Sequence, residues 1–167
     1  MSALGIPVAQ GQDDGLDGVD ALTPIGLAEV QELADLQTRV DLKYLVPPEL
    51  VEQLTADLLT GAEVLTIDGQ TAFGYESVYF DTPDLDGYLD AAHQRRRRFK
   101  VRTRTYLDSG GCVLEVKTRG GRGETVKERT EHDPRASHVL DGAAREFAAA
   151  LLGPSAPVAE LVPTLTT

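Results

Sequence analysis

Hydrophobic and polar residues alternate with a period of two through much of the second half of the chain, as they do in half-buried β-strands. In residues 95–106, basic side chains from Arg98 to Arg104 occupy the even positions, and apolar or threonine side chains occupy the odd positions from Phe99. Residues 112–118 and 124–130 alternate in a similar way, and glycine-containing segments separate the three runs. The pattern predicts three consecutive strands that pair antiparallel through short turns.

Shorter elements are predicted around these three strands. Helical spacing predicts helices at about 27–36, 47–59 and 136–152, and Asp81-Thr82-Pro83-Asp84 is expected to cap another that ends near residue 92. Further strands are predicted at 39–46, 63–67, 72–80 and 161–167, with a turn at Asp68-Gly69. Residues 1–25 show little periodicity, so we expect a disordered leader followed by one domain at 26–167.

Composition narrows the class of protein. A chain of 167 residues suits one domain with a substantial core. No apolar run approaches the roughly 20 residues of a membrane span, and no secretory signal pattern is present, so we expect a cytoplasmic location. Cys112 is the only cysteine, which excludes an internal disulfide, and its apolar strand position predicts a small buried side chain.

The net charge of -11 conceals an asymmetry along the chain. Residues 95–129 hold 12 of the 16 Lys and Arg residues and only four acids, a net +8, which leaves four bases against 23 acids elsewhere, a net −19. Proteins that coat nucleic acid without selectivity are usually basic overall, so we expect no nucleic-acid partner. The distribution favours a focused site for an anion.

The predicted strands place most of the basic residues on one face. Its members are Arg98, Lys100, Arg102, Arg104, Glu115, Lys117, Lys127 and Arg129. The polar face of an antiparallel sheet is often simply solvated, but such a face mixes signs because like charges across strands destabilise the sheet. This face is overwhelmingly cationic, which favours a binding site for an anion such as a chain of phosphates.

Two carboxylate–lysine pairs, Asp41/Lys43 and Glu115/Lys117, recur two residues apart on predicted strands. Carboxylates so placed can hold Mg²⁺ or Mn²⁺ while the lysine contacts phosphate oxygens. As bare patterns they are weak, because acid–lysine pairs are frequent and are usually surface ion pairs of little energetic value. The glycine-rich segment 119–123 lacks the Gly-Lys-Ser/Thr ending of a P-loop and predicts a hairpin turn.

Several segments together resemble the VTC domain. This is the polyphosphate polymerase domain of the vacuolar transporter chaperone family, within the CYTH-like triphosphate tunnel metalloenzyme superfamily. The matching segments are 77–83, 97–106, 114–118 and 124–127, with 39–44 similar to the first tunnel strand. The motifs follow the family's order, and the resemblance covers about residues 27–167.

The resemblance implies an α+β fold, an antiparallel β-tunnel with flanking helices. It also implies transfer of the γ-phosphate of ATP to polyphosphate with Mn²⁺ or Mg²⁺, or a triphosphatase-type reaction. ATP, polyphosphate or another inorganic polyanion would be the partner. The positions similar to the family's phosphate-binding residues are Lys43, Arg102, Arg104, Lys117 and Lys127. Arg98, Lys100 and Arg129 are added from the alternation alone, and Glu115 is the candidate metal ligand.

The sequence departs from the family pattern in two places. Arg39 and Asp41 stand where the superfamily generally has two glutamates, which shifts metal binding elsewhere. The chain ends at Thr167, where family members continue into further strands, so we expect an incomplete, C-terminally truncated tunnel: a fragment, a truncated gene product, or a protein that completes its tunnel by self-association. The alternatives are a catalytically inactive polyphosphate- or polyanion-binding module and, less favoured because of the acidic body, a nucleic-acid binder.

Overall fold

The computed structural model describes residues 22–34, 45–47, 50, 60–121 and 124–167. The chain divides into two compact units, Met1–Ala72 and Phe73–Thr167. The predicted leader up to residue 21, and most of the predicted strand and helix between residues 39 and 59, lie outside the described residues. The division into a leader at 1–25 and one domain at 26–167 stays a prediction.

The first unit contains a small parallel sheet. Strand β1 (Thr23–Gly26) leads directly into helix α1 (Leu27–Ala34) and pairs with strand β2 (Glu63–Thr66). Helix α1 and strand β2 confirm two of the predicted elements, whereas β1 was not predicted and overlaps the end of the expected leader. The predicted turn is also present, because Asp68 and Gly69 both have positive φ, as a tight two-residue hairpin turn requires.

The second unit is built on a five-stranded antiparallel sheet in the order β6-β5-β4-β3-β7. Its strands are β3 (Tyr75–Asp81), β4 (Phe99–Tyr106), β5 (Cys112–Arg119), β6 (Thr125–Glu131) and β7 (Val162–Thr166). Helix α2 (Asp86–Ala92) connects β3 to β4, and helix α3 (Gly142–Leu152) precedes β7. Short 3₁₀ helices at Pro134–Ala136 and Val158–Glu160 flank α3.

The core of this unit lies on one face of the sheet. The buried hydrophobic residues of the central strands are those at the apolar positions of the alternation, for example Val101, Leu114 and Val116. Helix α3 packs on this face through Ala144 and Ala148, whose small side chains let the helix approach the strands closely. The prediction that the apolar positions of these strands form a buried face is therefore confirmed, as is burial of the Cys112 side chain.

Two predicted boundaries are wrong. Helix α3 begins at Gly142 rather than near 136, because the Asp141 carboxylate accepts a hydrogen bond from the Ala144 N–H and caps the helix at that point. Strand β4 begins at Phe99 rather than at Arg95, the first of four consecutive arginines. Residues 95–98 form a turn, in which the Arg95 N–H donates to the Asp90 carbonyl and the Arg98 N–H to the Arg95 carbonyl.

The predicted fold class, α+β with an antiparallel sheet and flanking helices, is confirmed. Over the part of the chain that the structure describes, the sheet is open, with β6 and β7 at its edges. Closure into a tunnel and self-association across these edges stay predictions. None of the described helices is long and apolar enough to cross a membrane.

Candidate functional site

Three lysines lie side by side across the sheet. Lys100 on β4 is opposite Lys117 on β5, and Lys117 is opposite Lys127 on β6. We call these three residues the lysine row. Lys100 is exposed, Lys117 is half-buried and the side chain of Lys127 is 48% exposed. Directly opposed like charges destabilise a sheet, so this arrangement is unfavourable until an anion lies against it.

An ion-paired row lies next to the lysine row on the same face. The register places Tyr79, Arg102, Glu115 and Arg129 opposite one another on β3, β4, β5 and β6. Arg102 Nε donates to Glu115 Oε2 at 2.7 Å, and a terminal guanidinium nitrogen of Arg102 contacts the same oxygen. The other terminal nitrogen donates to the Tyr79 hydroxyl at 3.1 Å, and Lys127 Nζ lies 3.7 Å from Glu115 Oε1.

The Arg102–Glu115 pair at the centre of this row is almost sealed from solvent. The Glu115 side chain is 2% exposed and that of Arg102 is 11% exposed. A buried carboxylate is stable only with charged and hydrogen-bonding partners, and Arg102 supplies both. Arg102 is thereby held in one orientation, with its guanidinium fixed on the polar face.

Among the residues that the structure describes, three pKa values are shifted, all within these two rows. Burial acts to raise the pKa of Glu115, but the hydrogen bond and charge of Arg102 outweigh it and lower the pKa. Burial likewise acts to lower the pKa of Arg102, and its bonds to Glu115 and Tyr79 raise it overall. Burial and the neighbouring charge of Arg102 both lower the pKa of Lys117. The folded protein therefore favours the charged form of the Arg102–Glu115 pair and disfavours that of Lys117.

Arg104 lies one pair further along the same face, opposite Ser77 on β3 and diagonal to Tyr75. Arg104 Nε donates to the buried Ser77 hydroxyl at 3.1 Å, and the guanidinium lies 4.0 Å from the centroid of the Tyr75 ring. Stacking on an aromatic ring restricts an arginine while leaving its remaining N–H groups available. Sequence reasoning missed Tyr75, Ser77 and Tyr79, although their period-two spacing on the strand predicted at 72–80 could have placed them on one face.

A profile of the VTC domain matches residues 38–149, which is 112 of the 167 residues. The chain belongs to the VTC domain family. No curated protein sequence gives a significant match to this VTC domain.

Two solved structures resemble the domain at low identity. The crystal structure of a putative adenylate cyclase from Bacillus halodurans is 18% identical, with a TM-score of 0.46, 73% of this chain covered and 58% of that chain. The putative adenylyl cyclase HpAC1 from Hippeastrum, described as having a dominant triphosphatase activity, is 19% identical. Its TM-score is 0.37, with 66% of this chain and 54% of that chain covered. The VTC domain described here thus spans just over half the length of each.

The fold brings six of the predicted site residues onto one face of the VTC domain. With Glu115 they form what we call the cationic face: Lys100, Arg102, Arg104, Lys117, Lys127 and Arg129. Arg98 is not on strand β4, and its guanidinium donates to the Arg95 carbonyl at 3.4 Å. Lys43 lies outside the described residues. The assignment of these residues to phosphate binding stays a prediction.

The described carboxylates do not fit a metal site on this face. Both oxygens of Glu115, the candidate ligand, face cations, Oε2 toward Arg102 and Oε1 toward Lys127. No group of three or more His, Cys, Asp or Glu side chains arranged to hold a metal ion occurs within the described residues. The expected Mn²⁺ or Mg²⁺ therefore stays a prediction.

A mostly apolar cavity of about 720 Å³ adjoins Lys100. It is lined by aromatic and small side chains, including Tyr79, Tyr88 and Ala91, between helix α2 and strands β3, β4 and β7. Asp81 holds α2 in place, since its carboxylate accepts hydrogen bonds from the Gly87 and Tyr88 N–H groups at 2.8 Å. The sequence predicted that residues 81–84 cap this helix; the N-cap position is Leu85, which makes no side-chain capping bond, and Asp81 and Thr82 instead accept hydrogen bonds from the N–H groups of the first turn.

Proposed function

We propose that this VTC domain binds the phosphate chains of ATP and polyphosphate on its cationic face and transfers the γ-phosphoryl group of ATP to polyphosphate. The observation that supports it most strongly is the lysine row. Three adjacent strands place Lys100, Lys117 and Lys127 in register, at a cost in stability that a neutral sheet would avoid. A phosphate chain lying across the strands would neutralise all three charges.

The proposed reaction needs positioning and charge neutralisation rather than a protein nucleophile. A terminal oxygen of polyphosphate attacks the γ-phosphorus of ATP, and the bond from that phosphorus to the β–γ bridging oxygen breaks. ADP leaves with the bond's electron pair, and the polyphosphate is one phosphate longer. The lysine row would hold the phosphates of both reactants, because its ammonium groups are not fixed by hydrogen bonds in the way that Arg102 is.

Arg102 and Arg104 would act as preorganised donors beside the lysine row. Glu115 and Tyr79 hold Arg102, and Ser77 with the Tyr75 ring holds Arg104, so neither guanidinium has to be ordered when substrate binds. Fixed positive charges at the site of developing negative charge are the main source of catalysis in such reactions. The aromatic-lined cavity beside Lys100 is of a size suited to a small ligand and would accept the nucleoside of ATP.

A direct assay tests the proposal. Purified protein incubated with ATP, a polyphosphate primer and Mn²⁺ should release ADP and lengthen the primer. Lys117→Met should abolish both, because it removes the central charge of the lysine row and keeps the length of the side chain. Arg135→Met, which removes an exposed cation on the 3₁₀ helix before α3, is the matched control and should leave the rate unchanged.

A second candidate function is polyanion binding without turnover. It is favoured by the state of Glu115, whose carboxylate is held by cations and is not free to act as a base or metal ligand. Tight binding of tripolyphosphate that Lys117→Met weakens, with no ADP release from ATP, would support this function over transfer. A preference for an oligonucleotide over tripolyphosphate would contradict both.

A further inference from the structure

A second cavity lies beyond the end of the sheet where β4 begins and β5 ends. Its volume is about 730 Å³, within the range of small-ligand sites, and the C-terminal end of α3 forms one wall. Four arginines line it, Arg96, Arg97 and Arg98 from the turn before β4 and Arg119 from the end of β5. We call it the arginine pocket. None of the residues of the cationic face lines it.

The positive charge of the arginine pocket is scarcely neutralised by the described residues. Asp90 is the only acidic residue among the described residues of its lining, and its carboxylate already accepts a 2.8 Å hydrogen bond from Arg95. Within the described part of the chain, Arg96, Arg97 and Arg119 make no ion pair, and Arg98 contacts only a backbone carbonyl. The Glu124 carboxylate lies against Gly120, a lining residue, so two described carboxylates adjoin the four arginines and the positive charge is in excess.

An anion in the arginine pocket would be repelled by the end of helix α3 and attracted by the arginines, and the two effects differ in size. The C-terminal end of a helix such as α3 carries about half a negative charge, which disfavours an anion. Four guanidinium groups carry four positive charges, so the positive potential dominates. Exposed arginines spread over a convex surface would be solvated separately, whereas these four converge on one concavity. Guanidinium groups are weakly hydrated and bind phosphate oxygens in pairs, so they suit an anion with several phosphates.

We propose that the arginine pocket is a second binding site, for a polyanion that carries several phosphates. This site accounts for the four consecutive arginines at 95–98, which precede strand β4 and three of which line the pocket. The site goes beyond the proposed function and does not require turnover. Two sources offer the same ligand chemistry: the distal part of a polyphosphate chain that also lies on the cationic face, or a separate oligophosphate.

Calorimetric titration of the full chain with tripolyphosphate tests the proposal. Two molecules should bind per chain. Arg97→Gln and Arg119→Gln should each weaken one of the two sites about tenfold or more, the usual effect of losing a hydrogen bond to a charged group. Arg135→Gln, an equivalent loss of an exposed arginine outside both sites, should change neither affinity. The unchanged second site in each variant verifies that the protein is folded.

Lys117→Met separates this site from the cationic face. It should remove the other tripolyphosphate and leave the one that Arg97→Gln weakens. If the wild-type protein binds a single tripolyphosphate, and Arg97→Gln weakens it while Lys117→Met does not, the proposed function is overturned and the arginine pocket is supported. Binding of one tripolyphosphate per chain, insensitive to Arg97→Gln and Arg119→Gln, would overturn the second site. It would also be overturned if Arg135→Gln weakened a site as much as Arg97→Gln does.

A long polyphosphate decides between the two sources. If one chain spans both sites, it should bind more tightly than tripolyphosphate binds either site, and Arg97→Gln and Lys117→Met should each remove the gain. If a separate molecule occupies the pocket, Arg97→Gln should leave the affinity for long polyphosphate at the cationic face unchanged, while still weakening one tripolyphosphate site.

Discussion

Replacing Lys117 by methionine should stabilise the free protein while removing the binding of tripolyphosphate to the cationic face. Lys117 is the central member of the lysine row, with Lys100 on one side and Lys127 on the other. Burial and the charge of Arg102 lower its pKa, which means that the folded state disfavours the ammonium form. Methionine keeps the aliphatic part of the side chain and eliminates the charge.

The expected gain in the free energy of unfolding is modest. A directly opposed cross-strand pair contributes about 0.2–1 kcal/mol, unfavourably for like charges, and Lys117 has two such neighbours. Its attraction to Glu115 offsets part of this. The substitution should therefore stabilise the free protein by about 1 kcal/mol at low ionic strength, and by less when salt screens the repulsion.

The wild-type protein should also show a pH effect that the variant lacks. The folded-state pKa of Lys117 is lowered, so the unfolded state holds its proton to a higher pH than the folded state does. Stability should therefore rise as pH rises through the folded pKa toward the unfolded value of about 10.4. Over the same range the affinity for tripolyphosphate should fall, because the phosphate chain needs the charged form.

Urea unfolding at low and high salt, with and without tripolyphosphate, measures these effects. At 100 times the dissociation constant of the cationic face, occupation of that face should contribute about 2.7 kcal/mol to the stability of the wild-type protein, a contribution that the variant should lack. Arg135→Met is the control, because Arg135 is exposed and has no cross-strand neighbour. The reasoning about the lysine row would be refuted if Lys117→Met lowered the free energy of unfolding. It would also be refuted if the free energy rose by an amount that salt does not reduce and that Arg135→Met reproduces.

Three other substitutions test separate parts of the structure. Glu115→Gln should cost about 3 kcal/mol of unfolding free energy, since it leaves the Arg102 guanidinium buried without its counter-charge; a loss below 1 kcal/mol in urea would contradict this. Because the Glu115 pKa is lowered, the wild-type protein should also lose stability as pH falls below about 4.3 through the folded pKa, a loss that Glu115→Gln should not show. Ala91→Trp should fill the cavity beside Lys100 and weaken binding of ATP at least tenfold without affecting tripolyphosphate; equal losses for both ligands would place the nucleoside elsewhere. Arg145→Lys should destabilise by about 1–3 kcal/mol, because the guanidinium donates to the carbonyls of Leu140, Val158, Ala159 and Leu161 and a lysine cannot reach all four; thermal unfolding within 1 °C of wild type would exclude that role.

The sequence alone determined the polar and apolar faces of the central strands. Alternation with a period of two places Lys100, Arg102 and Arg104 together whatever the strand's neighbours, because the pleat of a strand has only two faces. It also predicted the antiparallel order of β4, β5 and β6, since turns as short as 108–111 cannot connect parallel strands. Family membership followed from motifs that lie on these same strands.

Only the tertiary structure decided how the charges are paired. The register sets Glu115 between Arg102 and Arg129, and it aligns the three lysines; a shift by one residue would exchange the two faces. Periodicity could not predict where β4 begins, because an arginine is as compatible with a turn as with a strand. Backbone hydrogen bonds from the Arg95 and Arg98 N–H groups form the turn before β4. As a result, Arg96–Arg98 line a different cavity from the one beside Lys100. Sequence thus fixes which side chains share a face, while register and backbone hydrogen bonds, which depend on residues distant in the chain, decide what each one contacts.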